Sequence, residues 1–205
     1  MKPTFITLEG VEGAGKTTVL EAIAAWAAQR GIDLLQTREP GGCPSSERLR
    51  ELLLDPALCW CSEAELLLMF AARWQHWSET IEPALKRGQW VVSDRFVDAS
   101  FAYQCGGRGL AWERVQALAD QLPKMARPGL TLLLDLPVEL GLERARKRGP
   151  EDRFEQEKAA FFERVRQAYL QLAEAEPERV VIVDATQNQS QVAEQVTKML
   201  EARYQ

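Results

Sequence analysis

Short apolar runs alternate along the chain with longer stretches whose apolar positions recur at helical spacing. Phe5-Ile6-Thr7-Leu8 reads as a first strand. Between 17 and 30, Val19, Leu20, Ile23 and Trp26 return at helical intervals until Gly31 stops the helix. A strand over 33–37 leads into the turn Arg38-Glu39-Pro40-Gly41-Gly42, and helices follow over 46–54 and 63–87. Trp90-Val91-Val92-Ser93 is apolar on both faces, as a buried parallel strand is. Helices over 97–104 and 111–122 precede a strand over 130–134 that ends at Asp135-Leu136-Pro137. A helix from about Val138 runs into an arginine-rich stretch, then come a helix over 155–175, a strand over 179–183 and a helix over 189–203. Strands alternating with helices predict an α/β protein: a three-layer α/β/α sandwich around a five-stranded parallel sheet, in one domain spanning 1–205.

Composition agrees with an ordinary globular chain of 205 residues, 46% apolar and 27% charged. A net charge of −5 argues against a nucleic-acid partner. No apolar stretch approaches the roughly 20 residues of a membrane helix, and no basic segment followed by an apolar one opens the chain, so a cytoplasmic location without membrane contact is expected. Cys43, Cys59, Cys61 and Cys105 form no CxxC pair and His76 is the sole histidine, so reduced thiols are expected rather than a zinc site.

The chemistry starts at Gly10-Val11-Glu12-Gly13-Ala14-Gly15-Lys16-Thr17, which fits G-x-x-x-x-G-K-[ST] between a strand and a helix. The glycines let successive backbone N–H groups converge on an anion at a helix N-terminus. Lys16 supplies a cation to the β- and γ-phosphates of ATP, Thr17 a hydroxyl for Mg²⁺, and Thr18 continues the ATP-binding turn. This is the P-loop, which GTPases, ATPases and kinases share, so the acceptor must be read elsewhere. Asp94-Arg95 closes the 90–93 strand, and strand ends in open parallel sheets face the ligand crevice. Asp94 is placed to serve the metal and Arg95 to grip a second phosphate.

Thr37-Arg38-Glu39-Pro40-Gly41-Gly42, Arg50 in Leu49-Arg50-Glu51-Leu52-Leu53-Leu54, Leu68-Met69-Phe70-Ala71-Ala72-Arg73 and Ser100-Phe101-Ala102-Tyr103-Gln104 follow the P-loop in order. From the first strand to the C-terminus this set resembles the bacterial thymidylate kinases. The resemblance implies transfer of the ATP γ-phosphate to dTMP, with Mg²⁺, in dTTP biosynthesis, by a homodimer. It places Phe70 in a stack on thymine, Arg73 on its O4, and Ser100 and Gln104 at the base. Tyr103 would lie under the deoxyribose and Glu12 would bond the 3′-hydroxyl. Arg50 and Arg95 would grip the monoester, Arg38 and Pro40 complete the dTMP site, and Glu9 would serve the metal or sugar region. The Glu39-Pro40 turn is similar to one that is often cis in the family. Read without the family, Phe70, Trp74 and Trp77 at i, i+4 and i+7 are a core stripe, and His76 is structural.

Arg144, Arg146, Lys147, Arg148 and Arg153 crowd around Gly149-Pro150, which a helix cannot cross smoothly, so 146–156 is expected to be a mobile arginine-rich lid. Val11, Glu12 and Ala14 bring no cation to the P-loop, which leaves the charge of the transition state to the lid, with Arg153 favoured and Arg148 next. A phosphate monoester, with a second pKa of about 6, is already ionised and needs no general base. Two alternatives stay open at this point: a kinase for another nucleotide or nucleoside, and a nucleotide-gated binding module.

Overall fold

A computed structural model describes residues 4–147 and 153–204. Arg148 and the middle of the expected lid, residues 148–152, therefore lie outside the described residues. Five strands form one parallel sheet in the order β2-β3-β1-β4-β5: β1 Phe5–Glu9, β2 Leu34–Arg38, β3 Trp90–Asp94, β4 Leu130–Asp135 and β5 Val180–Asp184. β1 is central, with Leu8 beside Asp94 of β3 and beside Leu132 of β4.

Alternation along the strands sends their side chains to two helical layers. Trp90 meets Trp26 of α1 (Lys16–Gln29) and Tyr204 just beyond α9 (Gln189–Arg203). Phe5 turns the other way, onto Trp77 and Phe96. That second layer comprises α2 (Pro44–Leu54), α3 (Ser62–His76), α4 (Glu82–Lys86), α5 (Val97–Ser100), α6 (Trp112–Ala119) and α8 (Ala159–Ala175). Among the described residues no helix is long and apolar enough to cross a membrane, and all four cysteines are free thiols.

Two predicted helices are interrupted. The one over 63–87 widens into a π-helical turn at Trp77–Ile81 before α4, where Pro83 brings no N–H to the ladder. The one over 97–104 is α-helical only through Ser100 and π-helical over Phe101–Gly107. Glycines set the fit of that turn: a Cβ at Gly106 would stand 2.8 Å from the Arg164 carbonyl oxygen of α8. The helix over 155–175 starts only at Ala159.

α7 (Val138–Arg146) rests directly on the P-loop. A Cβ on Gly141 would come within 2.5 Å of the Glu12 carbonyl oxygen, and one on Gly13 within 1.9 Å of the Gly141 carbonyl oxygen. Backbone meets backbone there, so neither side can yield by a rotamer change. Gly141→Ala should therefore cost about 1–3 kcal/mol of stability, as overpacking does, read as a lower urea midpoint at an unchanged slope.

Candidate active site

Beyond β1 the chain turns through Gly10, Gly13 and Gly15, all at positive φ, and enters α1 at Lys16. No side chain caps that helix, so its first amides are left to an outside acceptor. Gly13, Ala14, Gly15, Lys16, Thr17 and Thr18 line a cavity together with Asp94, Arg144, Gln187 and Asn188. Gly10 and Val11 lie behind it: the Gly10 carbonyl accepts from Arg95 and Lys16, and Val11 is in the core. Burial, and then the neighbouring Arg95, lower the pKa of Lys16, while Asp94 and Glu12 oppose the shift. Lys16 Nζ stands 3.9 Å from Asp94 Oδ1, an oxygen that is buried and has no hydrogen-bond partner.

A second cavity opens on the other side of Lys16 and Asp94, which line both. Its wall includes Glu12, Arg38, Pro40, Arg50, Met69, Arg73, Arg95, Ser100, Tyr103 and Gln104. Arg95 takes a left-handed backbone (φ 72°), unusual for a side chain of its size. Its amide donates to Leu8 O, and its guanidinium donates to Gly10 O at 2.8 Å and Glu12 Oε1 at 3.0 Å. The Tyr103 hydroxyl also donates to Glu12, at 2.7 Å. Arg50 donates to the carbonyl of Pro40, whose peptide bond with Glu39 is cis. Arg38 pairs with Glu47 at 2.9 Å.

Arg73 is buried rather than solvated. Its Nε donates to Glu39 Oε2 at 2.7 Å, Nη1 to Ser100 Oγ and Nη2 to Phe96 O. The other oxygen of Glu39 meets His76 Nδ1 at 3.0 Å, and His76 Nε2 meets Thr37 Oγ1 at 2.7 Å. The lone histidine is thus structural, as expected, but it belongs to the chain of bonds that holds Arg73.

Three expected roles find other geometry. Phe70 is in the core with the Arg73 guanidinium 4.7 Å over its ring, and Met69, four residues before Arg73, faces the cavity instead. Met69 and Arg73, at i and i+4, share the cavity wall, while Phe70, one residue beyond Met69, is turned into the core. Glu9 lines neither cavity; it is fully buried, accepting from the Phe96 amide at 2.8 Å and bonded to the Tyr169 hydroxyl at 2.6 Å, so it is no metal ligand here. Arg153 does not reach the P-loop: Nε donates to Leu53 O and Nη2 to the buried Glu65 at 2.7 Å. A buried carboxylate is a stronger anchor for it than solvent.

A family model for thymidylate kinase matches residues 8–196. This chain belongs to the thymidylate kinase family. Curated thymidylate kinases include that of Pseudomonas entomophila (strain L48), 54% identical over 98% of this chain and 96% of the relative. That of Neisseria meningitidis serogroup B is 50% identical over 100% and 99%. The crystal structure of thymidylate kinase from Ehrlichia chaffeensis superposes with a TM-score of 0.78 at 29% identity, covering 98% of this chain and 99% of that one. The sheet and P-loop are those of the P-loop NTPase fold.

Sequence reasoning missed several side chains that this family member brings to its cavities. Met69 was signalled by its spacing from Arg73, and Arg144 by its place in the basic run. Gln187 and Asn188, from the loop after β5, carried no signal, nor did the buried partners Glu39, Glu65 and Tyr169.

Burial, and next the charge of Asp98, push the Glu9 carboxyl from the ordinary 4.5 to about 8, against Arg95, Tyr169 and the Phe96 amide. A folded-state pKa above the unfolded value means that the native chain holds the extra proton. That stability is present in full below about 4.5 and is lost as pH rises through about 8. Melting temperature should therefore fall between pH 5 and pH 9 in the wild type, and Glu9→Gln, which stays neutral, should flatten that fall.

Proposed function

We propose that this chain transfers the γ-phosphoryl group of ATP to dTMP, yielding dTDP and ADP. The observation that carries the reading is the meeting of two cavities at Lys16 and Asp94, one walled by the P-loop and the other by Arg50 and Arg95. A phosphate oxygen of dTMP attacks the γ-phosphorus while the bond to the β,γ-bridging oxygen breaks, and ADP keeps that electron pair. The attacking monoester oxygen is already ionised near neutral pH, so the residues need only align and neutralise. P-loop amides and Lys16 hold the donor phosphates, and Arg95, in the acceptor wall and bonded to the Gly10 carbonyl of the P-loop, grips the acceptor phosphate.

Thr17 and Asp94 fit a Mg²⁺ ion, since both line the donor cavity and Asp94 Oδ1 is buried with no hydrogen-bond partner. Two protein ligands suffice because Mg²⁺ keeps waters and binds phosphates directly. Bound there, it would neutralise charge on the β- and γ-phosphates.

For the base we read Arg73 as the donor to O4 and Gln104 and Ser100 as polar partners, with the Met69 thioether in the wall in place of an aromatic ring. Tyr103 would pack under the deoxyribose and Glu12 would meet the 3′-hydroxyl. Arg144, which lines the donor cavity, is read as the source of further positive charge for the donor phosphates. We also read the enzyme as a cytoplasmic homodimer that joins through α3, where Leu67 and Trp74 are exposed one above the other. Leu67→Glu should then yield monomers in sedimentation analysis.

ADP release measured across dTMP, dUMP, UMP, CMP, AMP and GMP tests the assignment. Activity should be confined to dTMP with weaker dUMP, and equal rates across the panel would sink it. Arg95→Ala should lower kcat/KM for dTMP by roughly 10²–10³ while barely changing the KM for ATP.

A further inference from the structure

A side-chain amide can offer a ligand either its oxygen or its NH₂ with almost no change of shape. Gln104 stands in the wall of the acceptor cavity, and which end it offers is decided behind that wall. Its Nε2 donates at 3.0 Å to Oε1 of Glu65, a residue of α3 with no exposed surface. The same carboxylate accepts from Arg108 Nε at 3.2 Å and from Arg153 Nη2 at 2.7 Å. Held between two guanidinium groups, Glu65 can only accept, so only the NH₂ end of Gln104 satisfies it. The oxygen of the amide is left for the cavity, and among the described residues no donor reaches it.

We propose that Glu65 is a positioning residue that fixes the Gln104 amide with its oxygen toward the cavity, and so makes the site select a pyrimidine that carries a proton on N3. This deepens the proposed function and rests on it. Thymine and uracil present N3–H as a donor and O4 as an acceptor. Cytosine presents the reverse, a bare N3 and an amino group. Arg73 is a permanent donor for O4, fastened to Glu39, Ser100 and Phe96. Gln104 alone of the pair could invert and serve cytosine, and the buried carboxylate forbids the inversion. A site built to bond one polar pattern rejects the opposite one strongly, because its own buried groups would be left unpaired.

The test compares kcat/KM for dTMP, dUMP and dCMP in the full chain. Glu65→Gln keeps the shape but can face Gln104 with either end of its own amide. It should lower the dTMP to dCMP ratio by on the order of ten- to a hundredfold, mostly through the KM of the acceptor. The dTMP to dUMP ratio should hold, because both bases carry N3–H, and the KM for ATP should hold as well. A purely structural role would depress all three acceptors together, and that result overturns the proposal.

Arg108 and Arg153 lose charge neutralisation in Glu65→Gln, so Gln104→Met provides an arm that leaves Glu65 and its arginines in place. It should show the same fall in the dTMP to dCMP ratio with a melting temperature within a few degrees of wild type; an unchanged ratio defeats the proposal. A wild-type enzyme that ignores dTMP would instead overturn the functional reading itself, and is told apart because no variant is needed to see it.

Discussion

Two polyanions repel, and a phosphoryl transfer between them needs both held close before the chemistry begins. Here that demand rests on the parallel pairing of β1 with β3. Leu8 beside Asp94 brings the P-loop and the Asp94-Arg95 pair out of the sheet at the same edge. Arg95 then ties the two together, its amide on Leu8 and its guanidinium on Gly10 and Glu12. Shift the register by one residue and Arg95 would face the other layer. The left-handed backbone at Arg95 belongs to the same constraint, because the chain must turn sharply there to aim a long side chain back at the loop.

Behind the acceptor cavity the structure repeats one device. Arg73 is held by Glu39, Gln104 by Glu65, and the Phe96 amide and Tyr169 by Glu9, each carboxyl being buried. Long side chains lose rotamer freedom when they bind, and fastening them in advance removes much of that cost. Each buried carboxyl would be expensive alone, and each is supplied with two or more donors. The wall is therefore rigid because its polar groups satisfy one another, not because it is apolar.

What the sequence disclosed follows from that division. The P-loop is legible because its chemistry is local: eight consecutive residues make the loop, and Gly13 to Thr17 of them line the donor cavity. Five parallel strands are legible from apolar runs, and Asp94-Arg95 from its place at a strand end. The order β2-β3-β1-β4-β5 is not, since pairing is non-local. Glu65, Glu39 and Tyr169 meet their partners across 34 to 160 residues, and no spacing reports such contacts. Met69 and Phe70 differ by one step on a helix, below what periodicity resolves when both neighbours are apolar. Arg153 is favoured by its place in the basic run around Gly149-Pro150 and by the cation the P-loop lacks, and neither says that a buried carboxylate holds it away from the P-loop.

The same locality explains how a chain with a net charge of −5 can serve two anionic substrates. At a distance its field disfavours them. Within the acceptor cavity the balance reverses: Lys16, Arg38, Arg50, Arg73 and Arg95 stand against Glu12, Glu39, Asp94 and Glu155. The excess is one charge, so placement matters more than sum. Glu39 is spent on Arg73 and His76 behind the wall, and Glu12 on Arg95 and Tyr103. Beyond a Debye length of about 8 Å at physiological salt the rest of the surface is screened, which leaves these few guanidinium groups, fixed in advance, to decide what the cavity holds.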